Sequence, residues 1–414
     1  MGVWQKCAGK DLRARILQPG LMRYRSSAVV RVELGAAVSM AREISEQVLR
    51  PEAAAVDKEQ RWPEKGMATL RSRLGGLVVP AEYGGMGHGL LAVAQVGEAT
   101  GRACTSTSIC FGMHLVGSAV IAAKASRRQR EAYLDPIAAG EHLTTLALSE
   151  PGTGAEFWLP QTRMERVEGG RLRLTGSKSF VTNAGHADSY VVSTLAAGPG
   201  TPPGQFSCTV VDAAVPGLEW GSPWQGFGMR GNASRGLELR GAEIADWCLL
   251  GEEGDQIWYV FNIVAPYFLM AMAGTYLGVA AAALEEVRTH LLRRKGARAG
   301  RSAAEQPVVQ HRLGTMWARV ERTRRLIYHA AAEAEIGSPD ALLGLASAKA
   351  EVAETAEATV NDALTLVGGV GYGEQSPLHR LLRDARAAHV MSPVTDLLRV
   401  WTGRALLDEP LLEG

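Results

Sequence analysis

The sequence lacks the signals of several common classes of protein. Its 414 residues include only five cysteines, and none of them forms a C-x-x-C pair, so neither a disulfide framework nor a redox dithiol is predicted. We expect buried thiols in a reducing compartment, which favours the cytoplasm. The nine histidines form no H-x-x-x-H or H-E-x-x-H pattern, and we therefore expect no metal site.

Further absences narrow the function. The formal net charge is +1, so the overall charge favours neither nucleic acid nor an anionic membrane as a partner. The sequence contains no P-loop and no G-x-S-x-G nucleophile motif. The glycine-rich stretches GGMGHG (residues 84–89) and GGVGYG (residues 368–373) do not have the G-x-G-x-x-G spacing of a dinucleotide-binding βαβ unit.

Charged side chains are absent from residues 257–284. This segment is long enough to cross a bilayer. However, it contains Asn262 and Pro266, is rich in small residues that suit close helix packing, and stands alone in an otherwise soluble chain. We therefore predict a helix that is buried on all sides rather than a membrane span.

The hydrophobic periodicity changes twice along the chain and predicts an α+β protein. Residues 1–35 form an N-terminal extension without the apolar core of a secretory signal. Residues 36–148 have the periodicity of helices, residues 149–254 contain short alternating runs broken by glycine and proline, and residues 255–414 are helical again. We predict three domains with these limits.

One helix in the last domain is well defined by its sequence. Ser338 is a candidate cap, Pro339 suits the first helical position, and Gly368 is placed to end the helix. One face of this helix is apolar and is made by Leu342, Leu345, Ala346, Ala353, Ala356, Val360, Ala363 and Val367.

Two motifs of the central region suit a flat, polar-edged ligand. In LALSEPGTGAE (residues 146–156), a tight turn follows an apolar strand and offers backbone N–H groups and the hydroxyl of Ser149. In GSKSFVTNAGHADSYVV (residues 176–192), Phe180 and Thr182 lie two residues apart, so both are expected to point to the same side of a strand. Each motif alone would also fit an ordinary turn or core strand.

Taken together, these blocks resemble the acyl-CoA dehydrogenase family. LALSEPGTGAE is similar to the family's A-L-[ST]-E-P-x-x-G-S-D block, and GSKSFVTNAG is similar to G-x-K-x-W-I-T-N-G. VGGVGYGEQSPLHRLLRDAR (residues 367–386) resembles the GG-x-G-[YF]…R-x-x-RDA block. Further similar blocks occur in the same order, and the resemblance covers roughly residues 36–407.

The resemblance implies an N-terminal α-helical domain, a central β-barrel or sandwich domain and a C-terminal four-helix bundle. It also implies bound FAD, an acyl thioester substrate on CoA or an acyl carrier protein, and a homodimer or homotetramer. By position, Phe180 would pack on the isoalloxazine ring and Thr182 would lie near its reactive N5. The other residues implied to lie near FAD, some of them near the FAD of a neighbouring subunit, are Leu148, Ser149, Gly154, Arg294, Thr365, Gly368, Gly369 and Gly371.

The catalytic carboxylate of the family is missing from both of its usual positions. Counting from the RDA block, the position of the usual base is Ser392, whose hydroxyl is no base by itself. The alternative position, on the first helix of the bundle, falls at about Phe268, and the arginine that accompanies it becomes Leu269. In addition, Ala155 replaces a serine that meets the pantetheine arm of the substrate.

Three interpretations follow from this loss. The first is an oxidoreductase that dehydrogenates an unusual thioester in specialised metabolism, with Asp396 or His389, each about one helical turn from Ser392, as a relocated base. The second is a flavin monooxygenase on the same fold, which needs no α-proton base. The third is a flavin-binding homologue with another use. The sequence leaves the electron acceptor open.

Overall fold

The computed structural model describes residues 28–197, 205–293 and 303–412. The predicted extension overlaps the first described helix, which begins at Ala28 rather than after residue 35. Arg294, one of the residues implied to lie near FAD, falls outside the described residues.

The N-terminal region is helical, as predicted. Two π-helical turns, Ser45–Leu49 and Arg130–Leu134, continue helices of this region, and a 3₁₀ turn covers Ala81–Tyr83. The helices are α1 (Ala28–Ile44), α2 (Arg50–Glu59), α3 (Glu64–Leu74), α4 (Leu90–Gly101), α5 (Thr105–Ala123), α6 (Arg127–Gln129) and α7 (Asp135–Ala138).

The central region folds into two four-stranded sheets. Their strands are β1 (Thr144–Ala147), β2 (Arg163–Val167), β3 (Arg171–Val181), β4 (Ser189–Leu195), β5 (Phe206–Asp212), β6 (Leu218–Trp220), β7 (Arg235–Ala245) and β8 (Leu249–Leu250). One sheet has the strand order β1-β4-β5-β8 and the other the order β2-β3-β7-β6. Strand β1 pairs in parallel with β4, with Leu146 opposite Val191, so the sheet starts a few residues before residue 149.

The C-terminal region is helical and contains the predicted bundle. Its helices are α8 (Gln256–Tyr259), α9 (Ala265–Arg293), α10 (Pro307–Glu335), α11 (Ala341–Val367), α12 (Gly369–Tyr372), α13 (Pro377–Val390) and α14 (Thr395–Leu406). The bundle is formed by α9, α10, α11 and α13, and α14 packs against α11. A π-helical turn, Val260–Val264, leads into α9, and 3₁₀ turns cover Asp246–Cys248 and Ala303–Glu305.

The uncharged segment is a buried core helix, as predicted. Two helical stretches, Thr105–Ala123 and Gln256–Arg293, are long and apolar enough to cross a membrane, but 89% and 83% of their most apolar windows are buried within the protein. Helix α9 lies directly against α4: a Cβ atom on Gly278 would come within 2.5 Å of the carbonyl oxygen of Glu98. Small residues are therefore needed where the two helices cross.

The predicted start of α11 is wrong by two residues, whereas its end is confirmed. The helix begins at Ala341, because the chain leaves α10 through Gly337, whose φ is 75°, and Ser338 accepts from the N–H of Ala341 through its carbonyl oxygen rather than its hydroxyl. Gly368, with φ 75°, ends the helix and donates its N–H to Leu364 at 2.8 Å. The predicted apolar face is buried except for Leu342, which is half-buried.

Candidate active site

A cavity of about 930 Å³ lies between the β domain and the C-terminal bundle. Helix α5, the turn after β1, the end of β3 and the loop that precedes β7 form one part of its wall. The segment 264–272 and residues 383–394 form the other part. The volume lies in the range of ligand-binding cavities, and the cavity joins the two central motifs to the predicted base position.

The turn after β1 forms the polar edge of this cavity. Leu148, Ser149 and Gly154, the residues of the first motif that are implied to contact FAD, all line it. Ser179 donates its N–H to the carbonyl oxygen of Ser149 at 2.7 Å, which holds the turn against β3. Gly154 has φ 55°, a conformation that favours glycine, and nothing lies within 4 Å of the position that its Cβ would occupy.

Phe180 and Thr182 both line the cavity, but the reason given for their common direction is wrong. The pairing of β3 with β7 shifts register between Lys178 and Val181. At this bulge Phe180 takes φ 54° and leaves regular strand alternation. Its side chain is 69% exposed in the cavity mouth, whereas Thr182 is buried.

On the opposite wall lies Ser392, the residue predicted to stand at the family's base position. Its hydroxyl donates to the carbonyl oxygen of Ala155 at 3.4 Å, so the predicted base position and the predicted pantetheine-side position meet across the cavity. Phe268 also lines the cavity, on the same helical face as Val264 and Met272. Leu269 is fully buried in the core and does not line the cavity. We therefore discard Leu269 as a substrate contact.

The two proposed replacement bases lie away from the cavity. Asp396 is exposed in the first turn of α14, and His389 faces α11, with its Nε2 3.0 Å from Oε2 of Glu357. Neither residue is among those that line the cavity. Sequence distance placed both one helical turn from Ser392. However, α13 ends at Val390 and α14 begins only at Thr395, so the helical spacing does not continue through Ser392.

Glu150 is the single carboxylate among the described residues that line the cavity. Its Oε1 accepts from Nζ of Lys178 at 2.5 Å and from the Thr162 hydroxyl at 2.7 Å, and its Oε2 accepts from the N–H of Gln161 at 2.7 Å. Lys178 also donates to the carbonyl oxygen of Ser193 at 2.6 Å, and burial lowers its pKa to about 8. The carboxylate is therefore fixed by its partners and is not free to accept a substrate proton.

Lys349, which sequence reasoning missed, holds the segment that carries Ser392. It is completely buried in α11, and its Nζ donates to the carbonyl oxygens of Ala388 (2.8 Å), Met391 (3.1 Å) and Pro393 (2.8 Å). Burial lowers its pKa to about 7. A signal was present in the sequence: Lys349 is a lone lysine between alanines in the apolar stretch LASAKAEVA.

Two residues of the RDA block support the cavity wall, which Arg383 itself lines. Arg383 donates to Asp57 Oδ1 at 3.0 Å and to the carbonyl oxygen of Phe227 at 3.1 Å. Asp384 accepts from the N–H of Met229 at 2.7 Å, and burial raises the pKa of this carboxyl. These bonds fix the loop around residues 226–229, which is part of the cavity wall.

The second glycine-rich motif lies apart from this cavity. Gly368 and Gly369 border another hollow of about 720 Å³, together with His290 and Arg293. Gly371 is buried against Val367, and Thr365 is exposed and donates its hydroxyl to the carbonyl oxygen of Asn361. A role for these residues at the FAD of a neighbouring subunit remains a prediction.

The residues present fit the flat ring system of a flavin. A turn with open space at Gly152 and Gly154, an exposed aromatic ring at Phe180 and the hydroxyl of Thr182 surround one side of the cavity. These are the groups that bind the face and polar edge of a heterocycle. Leu148, Ser149 and Gly154 would hold the ring edge, with Phe180 on its face.

Comparisons with known proteins match the whole architecture. Three family models match in order: the N-terminal domain of acyl-CoA dehydrogenase over residues 33–141, its middle domain over residues 145–242 and its C-terminal domain over residues 269–406. The chain is 30% identical over 374 residues to cyclohex-1-ene-1-carbonyl-CoA dehydrogenase from Geobacter metallireducens. The matched region covers 89% of this chain and 97% of that protein.

Solved structures share the fold. Butyryl-CoA dehydrogenase from Megasphaera elsdenii superposes with a TM-score of 0.85 at 23% identity, over 93% of this chain and 100% of that chain. The prolyl acyl carrier protein oxidase AnaB superposes with a TM-score of 0.80 at 22% identity, over 92% of this chain and 100% of that chain. At these identities the likeness shows the fold alone.

Fold and cavity together define a flavoprotein oxidoreductase built from a helical, a β and a second helical domain. The chain belongs to the acyl-CoA dehydrogenase family. As a member, it is an enzyme that acts on CH–CH groups, with FAD as its cofactor.

Proposed function

We propose that this chain removes the α and β hydrogens of an acyl thioester without a carboxylate at the family's base position. One observation carries the proposal: the flavin-side turn and Ser392 face each other across a single cavity, bridged by the bond from Ser392 to Ala155. The wall between them is apolar where Val264, Phe268 and Met272 line it, which suits an acyl chain.

The roles of the residues follow from their positions. FAD, when bound, would supply the acceptor for the β hydrogen. Phe180 and the turn at Ser149 orient the ring, and Thr182 supplies a hydroxyl beside it. The helical face at Phe268 excludes water from the acyl group, and Lys349 keeps the segment around Ser392 in place.

The carrier of the acyl group is either CoA or a carrier protein. The names of the Geobacter and Megasphaera proteins specify CoA thioesters, and the name of AnaB specifies an acyl carrier protein. Ala155, where the family has a pantetheine-side serine, lies at the cavity and indicates an altered contact with the arm that both carriers share. We further propose a cytoplasmic homodimer or homotetramer.

The test is an anaerobic titration of the FAD-loaded protein with acyl-CoA and acyl-carrier thioesters, followed by flavin absorbance. Bleaching by any thioester supports dehydrogenation. A bound flavin that no thioester bleaches, although the thioesters bind, contradicts it. We expect this chain to bleach without the help of Asp396 or His389, because both lie outside the cavity lining; Asp396→Asn and His389→Gln are therefore matched controls.

A second candidate is a flavin monooxygenase. One observation favours it: among the described lining residues the only carboxylate, Glu150, is held by Lys178, Thr162 and Gln161, so no base is ready for an α proton. This reaction requires an external reductant for the flavin and molecular oxygen. Oxygen uptake that depends on substrate after flavin reduction, with no thioester-dependent bleaching, would select it. If neither reaction occurs, the chain is a repurposed flavin-binding homologue.

A further inference from the structure

We infer that the substrate of this chain is a thioester whose α C–H bond is acidified by a second group on the α carbon, such as an aryl ring. This substrate class rests on the proposed dehydrogenation. The observation that carries it is the chemical nature of the groups that line the cavity, none of which offers a strong base to an α proton in the described part of the chain.

Glu150, the one carboxylate among the described lining residues, already has hydrogen-bond donors at both oxygens. Both oxygens of Glu150 accept hydrogen bonds, one of them from the ammonium group of Lys178. To accept a substrate proton, Glu150 would have to leave a buried ion pair. Breaking such a pair leaves an uncompensated buried charge, which is strongly unfavourable.

The remaining polar side chains of the described lining are cations, hydroxyls, amides and the indole of Trp224, which only donates. Arg383 and Arg386 are permanent cations and accept no proton. The hydroxyl and amide groups are Ser149, Ser179, Thr182, Asn232, Ser234 and Ser392. Neutral hydroxyls, amides and water are all very weak bases, but only water can carry the proton out to solvent, so we assign the α proton to a water molecule. Ser392 is only half-buried, and its hydroxyl can orient such a water.

A weak acceptor requires a more acidic substrate. A positioned general base contributes about 10²–10⁴-fold to a proton transfer, and a chain without one must recover this factor elsewhere. An aryl ring on the α carbon does so, because it delocalises the charge that develops as the proton leaves. The apolar side chains of Phe157, Phe268 and Met272 line the cavity and would contact such a ring.

The reaction then balances without a protein base. The α C–H bond breaks and its proton passes to water, while its electron pair forms the new α,β π bond. The β C–H bond breaks at the same time, and its hydrogen leaves with both electrons as hydride to oxidised FAD. The products are the α,β-unsaturated thioester, the reduced cofactor and a hydrated proton.

The experiment compares two thioesters of similar size, 2-phenylpropanoyl and 2-cyclohexylpropanoyl, each offered on CoA and on a carrier protein to the FAD-loaded full chain. Three quantities are measured: the dissociation constant, the exchange of the α hydrogen with D₂O by mass spectrometry, and the anaerobic rate of flavin bleaching. We expect the phenyl compound to exchange and to bleach the flavin about 100-fold faster or more, with dissociation constants that agree within about tenfold.

The outcomes separate this inference from the proposed function. Equal bleaching rates for the two compounds would overturn the substrate class and leave dehydrogenation standing. Binding of both compounds with no bleaching by either would contradict dehydrogenation itself.

Two variants at Ser392 test whether the lack of a base causes the requirement for an acidic substrate. Ser392→Glu supplies a base and should reduce the phenyl-to-cyclohexyl ratio at least tenfold, since a strong base makes substrate acidity less important. Ser392→Gln introduces a side chain of the same size without a base and should keep the ratio. If both variants change the phenyl-to-cyclohexyl ratio by the same factor, a base at position 392 does not control the proton transfer, and the inference is wrong.

Discussion

Glu150 and Lys178 form an ion pair at 2.5 Å in which the side chains are only 3% and 0% exposed. The pair joins the turn after β1 to the strand that carries Phe180. It therefore fixes the flavin-side wall of the cavity and, at the same time, makes the one carboxylate of the described lining unavailable for catalysis.

Lys178→Met should destabilise the protein strongly. The change leaves Glu150 buried without its cation, and breaking one partner of a buried pair costs about 3–5 kcal/mol. Urea denaturation measures the loss. Arg399→Met is the control, because it breaks the exposed pair with Glu354 and should cost less than about 1 kcal/mol. Similar losses of unfolding free energy for both variants would mean that the ion pair between Lys178 and Glu150 contributes little to stability.

Lys349→Met should loosen the segment that holds Ser392. Three carbonyl oxygens lose their donor, and each buried unsatisfied group costs about 1–3 kcal/mol. We expect lower hydrogen-exchange protection in residues 388–394 and a smaller free energy of unfolding. Lys58→Met, at an exposed lysine of α2, should change neither. Unchanged protection in the Lys349 variant would show that the segment is held by other contacts.

The pH dependence of stability should contain a contribution from His114. Its Nε2 donates to the carbonyl oxygen of Gly75 and its Nδ1 accepts from the N–H of Thr144, so the ring is neutral, and burial lowers its pKa from 6.5 to about 4. Below pH 6.5 this histidine is protonated in the unfolded chain but stays neutral in the folded protein until the pH approaches 4. Stability present at neutral pH is therefore lost as the pH falls towards 4.

The size of this loss is on the order of 3 kcal/mol, from about 1.4 kcal/mol for each unit of pKa difference. His114→Gln, which keeps a donor and an acceptor, should lower stability at pH 7 and flatten its dependence on pH between 6.5 and 4. The measurement is urea denaturation at a series of pH values. A slope equal to that of the unaltered protein would assign the acid sensitivity to other groups.

Phe180→Ala should weaken cofactor retention with little effect on the fold. The side chain is largely exposed in the cavity mouth, so its removal opens no core cavity, but it takes away the face on which a flavin would pack. The ratio of flavin to protein absorbance after dialysis measures retention. Trp317→Ala removes an exposed aromatic side chain outside the cavity lining and should retain FAD fully.

Local patterns were sufficient for much of this protein. The order of helical and β regions, the buried helix without charge and the end of α11 at Gly368 were all predicted, because periodicity and glycine act over a few residues. The two motifs around Ser149 and Phe180 were also recognised from local sequence, but their place beside a flavin was implied by the family resemblance and stays a prediction. The prediction that Ser392 stands at the family's base position also rests on the sequence alone.

The tertiary structure decided what those residues contact. Spacing along the chain put Asp396 and His389 near Ser392, but the break between α13 and α14 sends both away from the cavity. No local pattern predicted the ion pair between Lys178 and Glu150 or the hydrogen bond from Lys349 to the carbonyl oxygen of Pro393. These contacts join residues 28 and 44 positions apart, and only the packing of whole elements brings them together. The sequence alone predicts that the usual base is absent, and the packing leaves Glu150 as the one carboxylate among the described residues that line the cavity.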